Sequence, residues 1–165
     1  MNILRMLKHL LLPDWWRRRV FSVEDIAAIG AEVGASEKSH RGELRFVVEA
    51  SLTVAALWRD QSPRQRATEV FAVERVWDTE ENSGILIYVL LADRRVEILA
   101  DRGIAARVPQ AEWDAICRGM EQAFGAGQWR QGALQAVARA GELLAAHFPA
   151  GATNPNELPD QPLML

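Results

Sequence analysis

A chain of 165 residues, 49% hydrophobic and 25% charged, has the size and composition of one globular domain built on one core. Its formal net charge of −3 and pI near 5.7 give no general attraction for a phosphate backbone, which argues against nucleic-acid binding. The single cysteine, Cys117, cannot close an internal disulfide or build a zinc knuckle, so nothing calls for an oxidising compartment.

Residues 1–21 differ in character from the rest. Ile3, Leu4, Met6, Leu7, Leu10 and Leu11 recur at helical spacing, with Arg5, Lys8, Arg17, Arg18 and Arg19 interleaved, and Pro13 ends or kinks the helix. The pair Trp15-Trp16 beside three arginines has the composition favoured at a membrane interface. This segment has two readings: a helix packing back on the domain or on a second copy, or a contact with a membrane surface or protein partner. No run approaches the roughly 20 apolar residues of a spanning helix or the roughly 7–15 of a signal peptide. The expectation is a cytoplasmic protein, at most peripheral to the inner membrane.

Ser22 is an N-cap for a helix to about Ser36, with Glu24 and Asp25 in its first turn. The run around Leu44, Phe46 and Val48 predicts a strand at about 43–51, and Pro63 opens a crossover helix to about Trp77. Ile85 to Leu91 is the most strand-like run, and Ala92-Asp93-Arg94-Arg95 turns it back into an antiparallel partner at about 96–101. Two helices follow, at about 109–124 and 128–147. The tail from Pro149, with Pro155, Pro159 and Pro162, predicts an extended or disordered segment. The fold expected is a single α/β domain over residues 22–148, a small mixed sheet with helices on both faces, and a Pro-rich tail over residues 149–165.

The stretch Gly84-Ile85-Leu86-Ile87-Tyr88-Val89-Leu90-Leu91-Ala92-Asp93-Arg94-Arg95-Val96-Glu97-Ile98, closed by Asp101-Arg102-Gly103, resembles the central hairpin of the TPM domain family. Arg66 to Trp77 is similar to that family's crossover helix, and Gly127 to Gly132 to its last helix junction. The resemblance implies a module that holds a divalent cation, calcium or magnesium, or an acid phosphatase. Ala92 stands where many members carry a second Asp, which weakens a metal site at that turn. The missing secretory signal and C-terminal membrane helix point to a soluble bacterial branch.

Two polar edges follow from the strand order. Asp93 and Arg94 close the hairpin near Glu49 and Ser51, at the carboxyl end of the first strand, where ligands of open α/β sheets bind. Asp101 and Arg102 return toward Asp78, Glu80 and Asn82 at the other edge, with His40, Arg41 and Glu43 entering nearby. Asp78, Asp93 and Asp101 are the candidate metal ligands, because hard oxygen donors suit calcium or magnesium. His40, Arg41, Glu43, Asn82, Arg94 and Arg102 are the candidate ligand- or anion-binding residues. Each also has a plain reading, as helix end, turn, exposed ion pair or, for His40, a solvated loop side chain; His9 and His147 lack clustered partners. No nucleophile motif is present, and Cys117 reads as core filler. The functional expectation is a binding module acting with envelope or membrane-associated partners, with a metal-assisted acid phosphatase as the alternative.

Overall fold

The structure is a computed structural model that describes residues 3–12, 14–151 and 155–165. Pro13 and the side chains of Arg17 and Arg18 lie outside the described residues. In chain order the elements are α1 (Ile3–Leu10), α2 (Asp14–Val20), α3 (Val23–Ser36), a 3-10 turn (Glu37–Ser39), β1 (Leu44–Glu49), α4 (Val54–Trp58) and α5 (Pro63–Val73). Then follow β2 (Ile85–Leu90), β3 (Arg95–Ala100), α6 (Arg102–Ala105), α7 (Gln110–Gly125), α8 (Trp129–His147) and β4 (Leu163–Met164).

Among the described residues the sheet runs β3-β2-β1-β4, with β1 parallel to β2 and β4 and with β2 antiparallel to β3. Every residue of β1 and β2 is buried, as expected of strands covered on both faces. Leu44, Phe46, Val48, Ile85, Ile87 and Val89 point into the larger core under α3, α7 and α8. The alternate positions Val47, Leu86, Tyr88 and Leu90 point into a smaller core under α4 and α5. Local chemistry agrees with these elements. Ser22 and Asp25 form a capping box at α3, and Ser62 and Gln65 form another at α5, which also carries Pro63 in its first turn.

The expected mixed α/β sheet is present, and it gains a fourth strand from the tail. Two buried polar side chains at the start of β1 explain this. Glu43, just before the strand, accepts the backbone N–H groups of Glu157 (3.2 Å) and Leu158 (3.1 Å). Arg45 donates to the carbonyls of Pro159 (3.0 Å) and Gln161 (2.6 Å) while pairing with Glu74 at 2.9 Å. From Pro155 the tail is thus extended but docked, and its last two residues before Leu165 cover the free edge of β1. The crossover helix is shorter than its periodicity suggests: Arg75 takes a positive φ of 55°, the helix stops at Val73, and Trp77 is exposed rather than inward-facing.

Candidate functional site

The carboxyl end of the sheet is built around Asp93. Its carboxylate accepts from the Arg5 guanidinium, Nε to Oδ1 at 3.2 Å and Nη2 to Oδ2 at 2.8 Å, and meets His9 Nε2 at 3.0 Å. The Leu52 N–H donates to His9 Nδ1 at 2.9 Å, so the ring hydrogen sits on Nε2 and is donated to Asp93. Arg5 also donates to the Gln61 carbonyl at 2.7 Å. Burial would raise the Asp93 carboxyl, but the hydrogen bonds from His9 and Arg5 outweigh it and hold the group at about 2. His9, read from the sequence as lacking clustered partners, is a buried partner of this site.

These contacts set the orientation of α1. Arg5 and His9 are four residues apart, so they share one face, and that polar face is turned toward the domain. The opposite stripe faces out: Leu4 is 72% and Leu11 74% exposed, with Ile3, Leu7 and Leu10 beside them and Trp15 on α2 59% exposed. Helix α4, in contact with α1, adds exposed Val54 and Trp58. The helix does pack back on the domain, but through its polar side, which leaves the apolar side unpartnered among the described residues.

The other end of the sheet holds the remaining candidates. Asp78 pairs with Arg75, Arg41 with Glu81 at 3.3 Å, and Arg102 Nε donates to Asn82 Oδ1 at 2.8 Å. Asp101 caps α6 by accepting the Arg102 N–H at 2.7 Å. Gly103 N–H donates to the Asn82 carbonyl at 2.9 Å, tying the 79–82 turn to this cap. Asp101 Oδ2 and Glu81 Oε2 are shielded from solvent and lack a hydrogen-bond partner. Asp93 and Arg94 lie a strand's length away, beyond β3, so the three candidate aspartates do not converge. Among the described residues no three His, Cys, Asp or Glu side chains gather closely enough to hold an ion.

His40 is not the solvated loop side chain expected. It is fully buried and donates from Nδ1 to the Gly42 carbonyl at 2.9 Å, and burial lowers its basicity. Glu43 faces the tail rather than a ligand, and Arg94 sits exposed in the hairpin turn with φ 52°. A further network went unsignalled: Tyr88 Oη donates to Glu49 Oε2 at 2.7 Å, and Arg66 Nε donates to the same oxygen at 2.8 Å. Burial, then the Glu49 charge, pushes the Tyr88 hydroxyl upward, so it serves as a fixed donor. Burial pushes the Cys117 thiol up to about 12, which leaves it unsuited to nucleophilic attack.

The chain is 28% identical to the BA42 protein of the psychrophilic bacterium Bizionia argentinensis, whose NMR structure superposes with a TM-score of 0.77 over 88% of this chain and 95% of that one. The N-terminal domain of a protein from P. gingivalis shares the fold at 20% identity, a TM-score of 0.57 and coverage of 78% of this chain and 79% of that one. The N-terminal domain of the cg2496 protein from Corynebacterium glutamicum does so at 18% identity, a TM-score of 0.54 and coverage of 81% and 78%. No curated protein matches the sequence. The TPM domain family model matches residues 17–143, the hairpin and both flanking helical layers included, and the chain belongs to the TPM domain family.

Proposed function

We propose that this chain is a TPM-domain binding module that docks on an anionic membrane surface through α1 and α2. The observation that carries the reading is the inverted helix: Arg5 and His9 hold its polar face on Asp93 and leave Leu4, Leu7 and Leu11 outside. Charge supports a lipid surface over a second copy. Residues 1–20 contain five basic residues and one acidic, +4, so of the formal −3 the rest of the chain carries −7. Two copies meeting through this face would oppose like charges, whereas anionic lipid headgroups would match them. Exposed Trp15 and Lys8 at the margin of the apolar stripe suit the headgroup region. The cytoplasmic leaflet of the inner membrane is the surface this charge pattern fits. Among the described residues no helix is long and apolar enough to cross a bilayer.

Flotation with vesicles tests this reading. The chain should float with phosphatidylglycerol vesicles, less well as salt rises, and hardly at all with neutral phosphatidylcholine. The variant Leu4→Ser/Leu7→Ser/Leu11→Ser should lose affinity by about tenfold or more, since each leucine withdrawn from the interface forfeits roughly 1 kcal/mol or more. Equal flotation of the folded triple variant would remove the proposal.

A metal-assisted phosphatase is the second reading, favoured by the unpartnered oxygens of Asp101 and Glu81 beside Arg41, Asn82 and Arg102. A divalent cation would satisfy such oxygens, and the arginines would steady a phosphoryl group. Turnover of an aryl phosphate dependent on calcium or magnesium, and lost in a folded Asp101→Asn variant, would carry this reading in place of the first.

A further inference from the structure

A cleft opens at the carboxyl end of the sheet, against the apolar stripe of α1 and α2. Its outer chamber, about 520 Å³, is lined by Lys8, Leu11, Trp15, Trp16, Ala92 and Arg94, among others. Its inner chamber, about 280 Å³, shares Trp16, Leu91 and Arg94 and runs between Val89, Phe124 and Trp129. The inner walls are aromatic: Trp129 stacks on Phe124 at 4.6 Å between centroids and meets Trp16 edge to face at 6.2 Å. Volumes of this order belong to ligand pockets.

The charges at the cleft are unequal. Asp93 is taken by Arg5 and His9, and Glu121 in the inner wall accepts the Val96 N–H at 3.2 Å and pairs with Arg95 at 3.6 Å. Among the described residues Lys8 and Arg94 make no ion pair. The cleft therefore offers an apolar, aromatic interior under a rim with two unmatched cations. Leu11 and Trp15 belong both to the outer chamber and to the exposed stripe, so the cleft is continuous with the face proposed to meet the bilayer.

We propose that this cleft takes up one acyl chain of an anionic lipid drawn from the bilayer, the chain lying against Val89, Trp16 and Trp129 and the headgroup at Lys8 and Arg94. The proposal rests on the docking reading for the source of its ligand, though the cleft can be tested without a membrane.

The probe is 11-bromoundecanoic acid below its micelle concentration, whose bromine quenches tryptophan fluorescence on contact. Gly125 lines the inner chamber and a Cβ built on it meets nothing within 4 Å, so Gly125→Leu adds a bulky side chain at the chamber wall without a clash. Arg94→Asn removes the rim charge with a residue that tolerates the positive φ. Saturable one-to-one quenching is expected, weakened about tenfold or more by Gly125→Leu and severalfold by Arg94→Asn, because chain burial and head charge are lost separately. Vesicle flotation of Gly125→Leu should persist, since its α1 stripe is intact. Absence of saturable quenching in the folded protein, or equal affinity in Gly125→Leu, overturns the proposal. Quenching by a chain that fails to float supports the cleft and counts only against membrane docking.

Discussion

The Asp93 carboxylate joins residues 84 and 88 positions away in sequence, and its ionisation is coupled to that docking. Its ordinary value of 3.8 falls to about 2 in the folded chain, so the unfolded chain binds the proton more readily. The sign follows: the contribution is fully present above about pH 4 and is lost as pH falls through 2. Asp93→Asn should cost about 2 kcal/mol near neutrality and only a small fraction of that at pH 2, wild type and variant converging below it. Urea unfolding at pH 7, 4 and 2 checks this, and parallel stabilities across the series would separate Asp93 from α1 docking. The signal for this site was in the sequence as a pair, Arg5 and His9, on the face opposite the leucines. Periodicity identifies the stripe but not which side of a helix meets the domain, because it assumes that the apolar side does. His40 escaped for a related reason: a lone histidine in a polar run gives no sign of its burial.

At the scale of elements, the strands and long helices were legible because both sheet faces are covered, which makes β1 and β2 continuous apolar runs. Helices α4 and α6, five and four residues long, are too short for a period to register. The tail was legible as extended, not as docked, because β4 is two residues long and what holds it comes from elsewhere. Glu43 and Arg45 fix its backbone, and Asp160 packs against the bare Cα of Gly34. This anchor gathers carboxyls: burial, then the charges of Glu43 and Asp160, raises Glu37 to about 8, and burial raises Glu43 to about 7 despite the amides it accepts. A carboxyl raised in the folded state contributes stability below its ordinary 4.5 that is lost as pH rises through 8. Glu37→Gln should therefore be neutral near pH 5 and more stable than wild type by about 1 to 2 kcal/mol at pH 9, after allowing for water entering around the ionised group. Denaturant midpoints at the two pH values give the answer, and a constant difference between the proteins would contradict it.

For the whole molecule, the sheet separates two ends of different character. The amino end of β1 and β2 carries exposed ion pairs and the buried carboxyls that hold the tail, while the carboxyl end carries α1, α2 and the cleft. Such separation places the apolar stripe, Trp15, and Lys8 and Arg94, which make no ion pair among the described residues, at one end of a chain whose remaining residues are net acidic. Net charge alone, −3, hides this polarity, which appears only when the first 20 residues are counted apart from the rest. The most direct measurement places nitroxides on Leu11→Cys and Lys38→Cys, each in a Cys117→Ser background, and compares their accessibility to oxygen and to a water-soluble relaxer with phosphatidylglycerol vesicles present. The account predicts that the label at position 11 is solvent-accessible in the free chain and passes into the oxygen-rich interior on binding, while the label at position 38 stays in water. A position-11 label already buried in the free chain, or one that remains in water on vesicle-bound protein, would contradict it.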